Sequence, residues 1–449
     1  MHILIIGNGI AGISAARHIR KLSDHSITVV SSETDHFFSR TALMYIYMGH
    51  MKYEHTKPYE DWFWEKNRIS LKRAFVTRIH TETKEVEYET GEREKFDKLI
   101  LATGSRPNRF GWPGQDSKGV QGLYSYQDLE SMEEYSKDLK QAVIVGGGLI
   151  GIEMAEMFHS RHIPVVFLVR ENSFWDRVLP ADESDMINRH IRKQDGIDLR
   201  LTTELKEIVP DHSGRVKAVI TNSGETIPCQ FVGLTVGVHP RIELAEGTGI
   251  ETHRGFLVNE FLETSVKDIY AIGDCTQLRK SKDHRRPVEA IWYTGKKMGP
   301  VLAQTICGNP TKYDQGIWFN SAKFFDIEYQ VYGTVYNTLR PMDAHLYWEH
   351  PDGTKSIRII YETEGKTVIG FNLMGVRYRH DVCEQWIANH THIEQVLEDL
   401  GAANFDPEFF SQYEHMIVAQ YNAQNPEANV RLKHKRGLKR ALEIIKGMF

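Results

Sequence analysis

The chain has 449 residues, 41% of them hydrophobic and 26% charged, with 55 Lys+Arg against 60 Asp+Glu for a net charge of −5. At roughly 150 residues per domain this leaves room for about three domains, and the composition excludes disordered, collagen-like and disulfide-stapled proteins. The acidic balance argues against a nucleic-acid binder. Cys229, Cys275, Cys307 and Cys383 sit at no CxxC, CxxxxC or zinc-ligand spacing, so no disulfide framework and no metal site are expected, and a reducing, cytoplasmic setting is.

The sequence opens MHILIIGNGIAG, with glycines where a signal peptide needs an unbroken apolar run. Residues 3–6 (ILII) read as a strand buried on both faces, Gly7-Asn8-Gly9-Ile10-Ala11-Gly12 as a GxGxxG turn, and the stretch to Leu22 as a helix. In that context the first glycine permits the tight turn and the second lets the backbone reach a pyrophosphate. The third lets helix and strand pack closely, and the helix N-terminus offers N–H groups to the anion. Ile27–Val30 is a second strand ending at Ser31-Ser32-Glu33, where a carboxylate can accept both hydroxyls of an adenosine ribose, though a residue or two later than usual. Phe96–Leu101 runs into the small-residue turn Ala102-Thr103-Gly104-Ser105.

At 142–145 (AVIV) the strand recurs, followed by Gly146-Gly147-Gly148-Leu149-Ile150-Gly151 and a helix, so the chain repeats one dinucleotide-binding module. The next strand, Val165–Val169, ends on Arg170 with Arg177 further along. An arginine there can pair with a 2′-phosphate, which favours NADPH; the alternative is that Glu171, the next residue, holds the ribose of NADH. Gly237-Val238-His239-Pro240 closes another strand, and Ile269–Ile272 ends at Gly273-Asp274. Arg279, Lys280, Lys282, Arg285 and Arg286 form a basic loop, and a helix from near Ile291-Trp292 through Gly299 carries Lys296 and Lys297. Further on, Ser356–Tyr361 and Thr367–Leu373 read as strands, Asp381–Leu400 as a helix, and His390-Thr391-His392 as a surface loop rather than a metal pair. Gly437–Phe449 sets Leu438, Leu442 and Ile445 against Lys439, Arg440 and Lys446, an amphipathic tail suited to docking on the body of the protein or to an anionic membrane.

This ordered set of motifs, from about residue 1 to 333, resembles the flavoprotein family with two dinucleotide-binding domains that contains the pyridine-nucleotide disulfide reductases, NADH oxidases, ferredoxin and rubredoxin reductases and apoptosis-inducing factor. The resemblance implies an α/β protein with two Rossmann-like domains and a C-terminal α+β interface domain. The FAD-binding domain would be discontinuous, 1–112 and 238–316, the NAD(P)H-binding domain 113–237 and the interface domain 317–449. It implies FAD at Gly7, Gly9, Ile10, Ala11, Gly12, Glu33, Arg40, Val76, Ala102, Thr103, Gly104, Asp274 and Trp292. It implies NAD(P)H at Gly146, Gly148, Leu149, Ile150, Gly151, Arg170 and Gly237.

Disulfide reductases of this family carry CxxxxC, and its single-cysteine members place one Cys about ten residues after the second strand. Here that stretch is Phe38-Ser39-Arg40-Thr41 and no Cys precedes Cys229, which excludes a thiolate partner for the flavin from within the chain. The ferredoxin-reductase and apoptosis-inducing-factor branch has an aromatic-Trp-Ser stretch followed by D-x3-Q-x2-G. Trp318-Phe319-Asn320-Ser321 with Asp326, Gln330 and Gly333 is similar, with one extra residue between Ser321 and Asp326. That branch also pairs a Lys after its Y-x-R motif with a Glu just past the second glycine turn. Glu153 is present but the Lys position is Tyr45, which leaves Glu153 either bonding Tyr45 beside the nicotinamide site or acting as a carboxylate favoured by the helix dipole. The implied activity is hydride transfer from NAD(P)H to FAD and on to a small acidic electron carrier such as a ferredoxin or rubredoxin, steered by the basic loop. The alternatives are a membrane-associated quinone reductase and a slow NAD(P)H-sensing protein; a homodimer is implied by the third domain.

Overall fold

The computed structural model describes residues 1–282, 285–406, 408–409 and 411–433; the amphipathic tail read at Gly437–Phe449 lies outside them. The chain forms two compact units, residues 1–175 with 191–316, and residues 176–190 with the segment from 317 on.

In the first unit, β1 (His2–Ile6) leads through the glycine turn to α1 (Ile10–Leu22) and β2 (Ser26–Ser31). Two short helices follow, α2 (Leu43–Tyr47) and α3 (Trp62–Lys66), then β3 (Ile69–Arg73). An antiparallel trio β4 (Val76–His80), β5 (Glu85–Tyr88) and β6 (Arg93–Lys95) precedes β7 (Lys98–Leu101) and β8 (Ser105–Pro107). The repeat of the pattern comprises β9 (Val120–Gln121), α4 (Tyr126–Tyr135), β10 (Ala142–Val145), α5 (Leu149–Ser160) and β11 (Val165–Leu168). After α6 (Ala181–Ile191), which belongs to the second unit except for Ile191, come β12 (Ile197–Arg200), an antiparallel trio β13 (Leu205–Pro210), β14 (Val216–Thr221) and β15 (Thr226–Pro228), and β16 (Phe231–Leu234). The unit closes with β17 (Val238–Pro240), β18 (Phe256–Val258), β19 (Ile269–Ala271), β20 (Thr276–Leu278) and α7 (Trp292–Ile306).

Two parallel sheets result, in the orders β19-β7-β1-β2-β3 and β12-β11-β10-β16-β9. The apolar runs of β1 and β10 are central and covered on both faces, so Ile3, Leu4, Ile5, Ala142, Val143 and Ile144 have no exposed surface. In each sheet the chain leaves the first strand to one side and returns on the other: β1 lies between β2 and β7, β10 between β11 and β16. A crevice opens at the carboxyl end of a strand flanked in this way, which is where open α/β sheets take ligands. α1 and α7 pack backbone to backbone, and this requires glycine: a Cβ on Gly299 would lie 2.6 Å from Ala15 N.

In the second unit, β21 (Phe319–Phe324), β22 (Ile327–Gly333), β23 (Asp343–Glu349), β24 (Ser356–Glu362) and β25 (Val368–Met374) form one antiparallel sheet in the order β21-β22-β25-β24-β23. β21, which carries Ser321, and β22, which carries Gln330 and Gly333, are joined by a tight hairpin with Phe325 at φ +56° and Asp326 at the turn, where it pairs with His190 at 2.6 Å. Cross-strand neighbours Arg358 and Asn372 face α6. Arg358 meets both oxygens of Glu183 at 2.7 and 2.8 Å, and Asn372 Nδ2 donates to Glu183 Oε1 at 3.1 Å. The single helix expected over Asp381–Leu400 is instead two, α8 (His380–Ala388) and α9 (Ile393–Glu398), broken where His390 adopts φ +50°. His392 caps α9, its ring accepting from Glu394 N. α10 (Glu414–Gln424) follows. Among the described residues no helix is long and apolar enough to cross a membrane.

Candidate functional site

The three glycines of each turn divide the labour in the same way. A Cβ on Gly7 or Gly12 would overlap backbone, Ala102 O and Gly7 O respectively, and one on Gly146 would sit 2.6 Å from Thr235 O; one on Gly151 would overlap Gly146 O. Gly7 and Gly146 also hold φ near +115°, at +115° and +113°. The middle glycines have no such reason: a Cβ on Gly9 or Gly148 meets nothing within 4 Å. These two residues are the N-caps of α1 and α5, neither helix has a side-chain cap, and neither has an acid in its first turn. Uncapped N–H groups beside open space at the switch point of a parallel sheet fit the diphosphate of a dinucleotide, once in each module.

Around the first turn, Ala102 supplies the oxygen that Gly7 must clear, Thr103 Oγ1 donates to Arg241 O at 2.7 Å, and Gly104 turns the chain at φ +72°. Ile10 and Ala11 head α1 and touch α7, where a Cβ on Gly295 would be 3.3 Å from Ile10 Cγ2 and 3.4 Å from Ala11 Cβ, so the N-termini of the two helices converge. Trp292 is the first residue of α7, with Lys296 Nζ 4.8 Å from its ring centroid. Val76 is buried at the start of β4. Glu33 is already engaged: Arg40 donates to both its oxygens at 2.7 and 2.5 Å, and Tyr126 N donates to Oε1 at 2.9 Å. A carboxylate accepts about four hydrogen bonds, so room remains at Glu33 for one ribose hydroxyl rather than two. Asp274 lies beyond the turn, its carboxyl pushed up by burial against the pull of the Arg40 guanidinium.

Around the second turn, Leu149 and Ile150 open α5, and Gly237 sits at φ +90° where β16 leads to β17. Arg170 is paired with its neighbour: Nη2 donates to Glu171 Oε1 at 2.9 Å. Glu153, in the first half of α5, has its carboxyl pushed up to about 7, chiefly by burial and then by the negative charge of Glu156. Tyr45 stacks on His50 at 6.1 Å within α2 and its C-terminal turn. α2 is held against α4 and α5 by Tyr47, whose hydroxyl donates to Ser136 Oγ at 2.7 Å and whose ring lies 3.5 Å from the Arg161 guanidinium.

The basic loop is less cationic than its sequence. Arg279 pairs with Glu251 at 2.6 Å, Lys282 with Asp314 at 2.6 Å, and Arg285 with the buried Glu289 at 2.7 Å. Lys280, Arg286, Lys296 and Lys297 are exposed and have no carboxylate partner among the described residues. Of the cysteines, Cys229, Cys275 and Cys383 are fully buried and Cys307 partly so. Burial pushes the thiol of Cys229 up to about 12 and raises those of Cys275 and Cys383. Residues the sequence reading did not single out are Tyr124, Tyr126 and Arg161; the one local signal was Ser125-Tyr126-Gln127-Asp128, a capping box that starts α4.

The family profile described as pyridine nucleotide-disulphide oxidoreductase matches residues 1–299. The chain is 28% identical over 378 residues to a nitrite reductase (NAD(P)H) of Bacillus subtilis, covering 83% of this chain but only 45% of that protein. It is 32% identical over 291 residues to a rubredoxin-NAD(+) reductase of Acinetobacter baylyi, covering 62% of this chain and 73% of the relative. A solved ferredoxin reductase from Rhodopseudomonas palustris superposes with a TM-score of 0.76 at 23% identity, over 83% of this chain and 91% of that one, a likeness of fold.

Proposed function

The chain belongs to the pyridine nucleotide-disulphide oxidoreductase family, and on that premise we propose that it is an FAD-dependent NAD(P)H oxidoreductase that reduces a separate electron carrier. The observation that carries the reading is the pair of glycine turns, each at a sheet switch point, each with an open middle glycine and an uncapped helix. When bound, FAD supplies the chemistry, taking a hydride from the nicotinamide and yielding the electrons to an acceptor. The work of the chain is placement. The head of α1 would hold the diphosphate of FAD and the head of α5 that of the nicotinamide nucleotide. α7, uncapped and without an acid in its first turn, offers its N-terminal N–H groups to negative charge beside the head of α1. Glu153, its carboxyl pushed up to about 7 by burial, can take or give a proton at the second module.

For the donor, the residue pattern favours NADPH, but the Arg170–Glu171 pair supports NADH. A 2′-phosphate at this strand end would have to break the pair and meet the Glu171 carboxylate, whereas a ribose hydroxyl can donate to it. For the acceptor, a small acidic iron–sulfur carrier fits the exposed Lys280 and Arg286 of the basic loop and Lys296 and Lys297 of α7, and relatives include a rubredoxin reductase. The test is anaerobic reduction of the FAD-loaded protein by NADH and NADPH, then turnover with ferredoxin, rubredoxin, quinone and dioxygen. Reduction by NADH and turnover with a carrier protein, slowing as salt rises, is expected; a flavin that neither nucleotide reduces overturns the reading.

A further inference from the structure

Tyr124 joins the two acidic residues of the first module. Its hydroxyl accepts from Ser105 N at 2.8 Å and donates to Asp274 Oδ2 at 3.3 Å, so the direction of its proton is fixed. Its ring lies under the Arg40 guanidinium, 4.6 Å from centroid to Cζ, and its carbonyl accepts from Arg40 Nη1 while Arg40 grips both oxygens of Glu33. The backbone on its other side is pinned as well, Tyr124 N donating to Asp128 Oδ2 at 2.9 Å within the capping box of α4. The hydroxyl also explains a glycine: a Cβ on Gly104 would lie 2.7 Å from it. A continuous polar chain, Glu33–Arg40–Tyr124–Asp274, thus borders the first glycine turn, with the Tyr124 hydroxyl as the link to Asp274.

We propose that Tyr124 is a cofactor-positioning residue: its hydroxyl holds the Asp274 carboxyl in the one orientation from which Asp274 can meet FAD. This rests on the assignment of the first module to FAD. Asp274 has freedom about its side-chain bonds, and a carboxyl facing a diphosphate would otherwise swing away from it. The Tyr124 hydroxyl engages Oδ2, with the Ser105 hydroxyl also acting on the carboxyl, and turns the remaining accepting capacity of Asp274 to a hydroxyl of the cofactor. The Arg40 guanidinium, stacked on the same ring, offsets the charge brought in. Tyr124 acts through Asp274, so the two should not contribute independently.

The experiment follows release of FAD from the holoenzyme after dilution, by recovery of free-flavin fluorescence, for the wild type, Tyr124→Phe, Asp274→Asn and the double variant. Tyr124→Phe keeps the ring and its stacking and should release FAD roughly tenfold faster, the scale of one hydrogen bond to a charged group. The double variant should release it no faster than Asp274→Asn alone. Wild-type release by Tyr124→Phe, or effects that multiply in the double variant, would overturn the role of Tyr124 while leaving FAD at the first module. Wild-type release by Asp274→Asn would instead show that the assignment of the FAD contact itself is wrong. Unfolding of each holoenzyme in urea, monitored by circular dichroism, separates loss of fold from loss of cofactor.

Discussion

At Glu153 burial leaves a carboxyl that ionises near pH 7 rather than near its ordinary value of 4.5, with no cation among the causes and Glu156 adding repulsion. The sign of its effect on stability follows. The folded protein keeps a proton that the unfolded chain releases above about 4.5, so this stabilisation is complete below that pH, falls as pH rises through about 7, and is absent above it. Glu153→Gln should therefore flatten the fall in urea midpoint between about pH 5 and 8 and leave the variant more stable than wild type at the upper end; parallel curves would show that Glu153 is not the titrating group. At Arg170 the structure supports a second prediction. Glu171→Gln should free the guanidinium and raise kcat/KM for NADPH roughly tenfold, while Arg170→Ala should lower NADPH use and spare NADH. Steady-state kinetics with both nucleotides checks it, and equal effects on the two would remove the pair from nucleotide choice. The glycines of the two turns were legible because chemistry and backbone geometry fix their spacing within six residues. Tyr124 was not, because it meets Arg40 across 84 positions and Asp274 across 150, and nothing local in the sequence marks such a contact.

The elements most plainly written in the sequence are the buried parallel strands: residues 142–145 are a strand as expected, and 3–6 lie within one, since four consecutive apolar residues between turns have few other places in an α/β protein. The helix over Asp381–Leu400 was misread because its apolar spacing continues across the break, and the positive φ at His390 that separates α8 from α9 leaves no mark a non-glycine residue would announce. The contact of α1 with α7 was legible only in part: the glycines were visible, their partner was not. Gly299→Val tests that contact. With its Cβ 2.6 Å from Ala15 N and from Ser14 Cβ, the side chain must push α7 off α1, costing roughly 1–3 kcal/mol by the usual scale of overpacking. Because α1 carries the first glycine turn at its head, the purified variant should also hold less FAD per chain. A variant with full flavin content and an unchanged urea midpoint would show that the helices have slack the structure does not display.

At the scale of the whole molecule, redox capacity follows from where the sulfur is. Three of the four cysteines are buried and burial pushes their thiols above their ordinary range, and no cysteine lies in the segment after β2, since the first in the chain is Cys229. The protein should then store electrons only on its flavin and pass them outward to a partner, and the exposed Lys296 and Lys297 in the first half of α7 suit an acidic carrier rather than an internal thiol relay. The most direct measurement is anaerobic titration of the FAD-loaded protein with dithionite, read by absorbance. Uptake of two electrons per FAD with no long-wavelength thiolate-to-flavin band is the predicted result; uptake of four, or appearance of that band after the first two, would contradict it and place a redox-active cysteine beside the flavin.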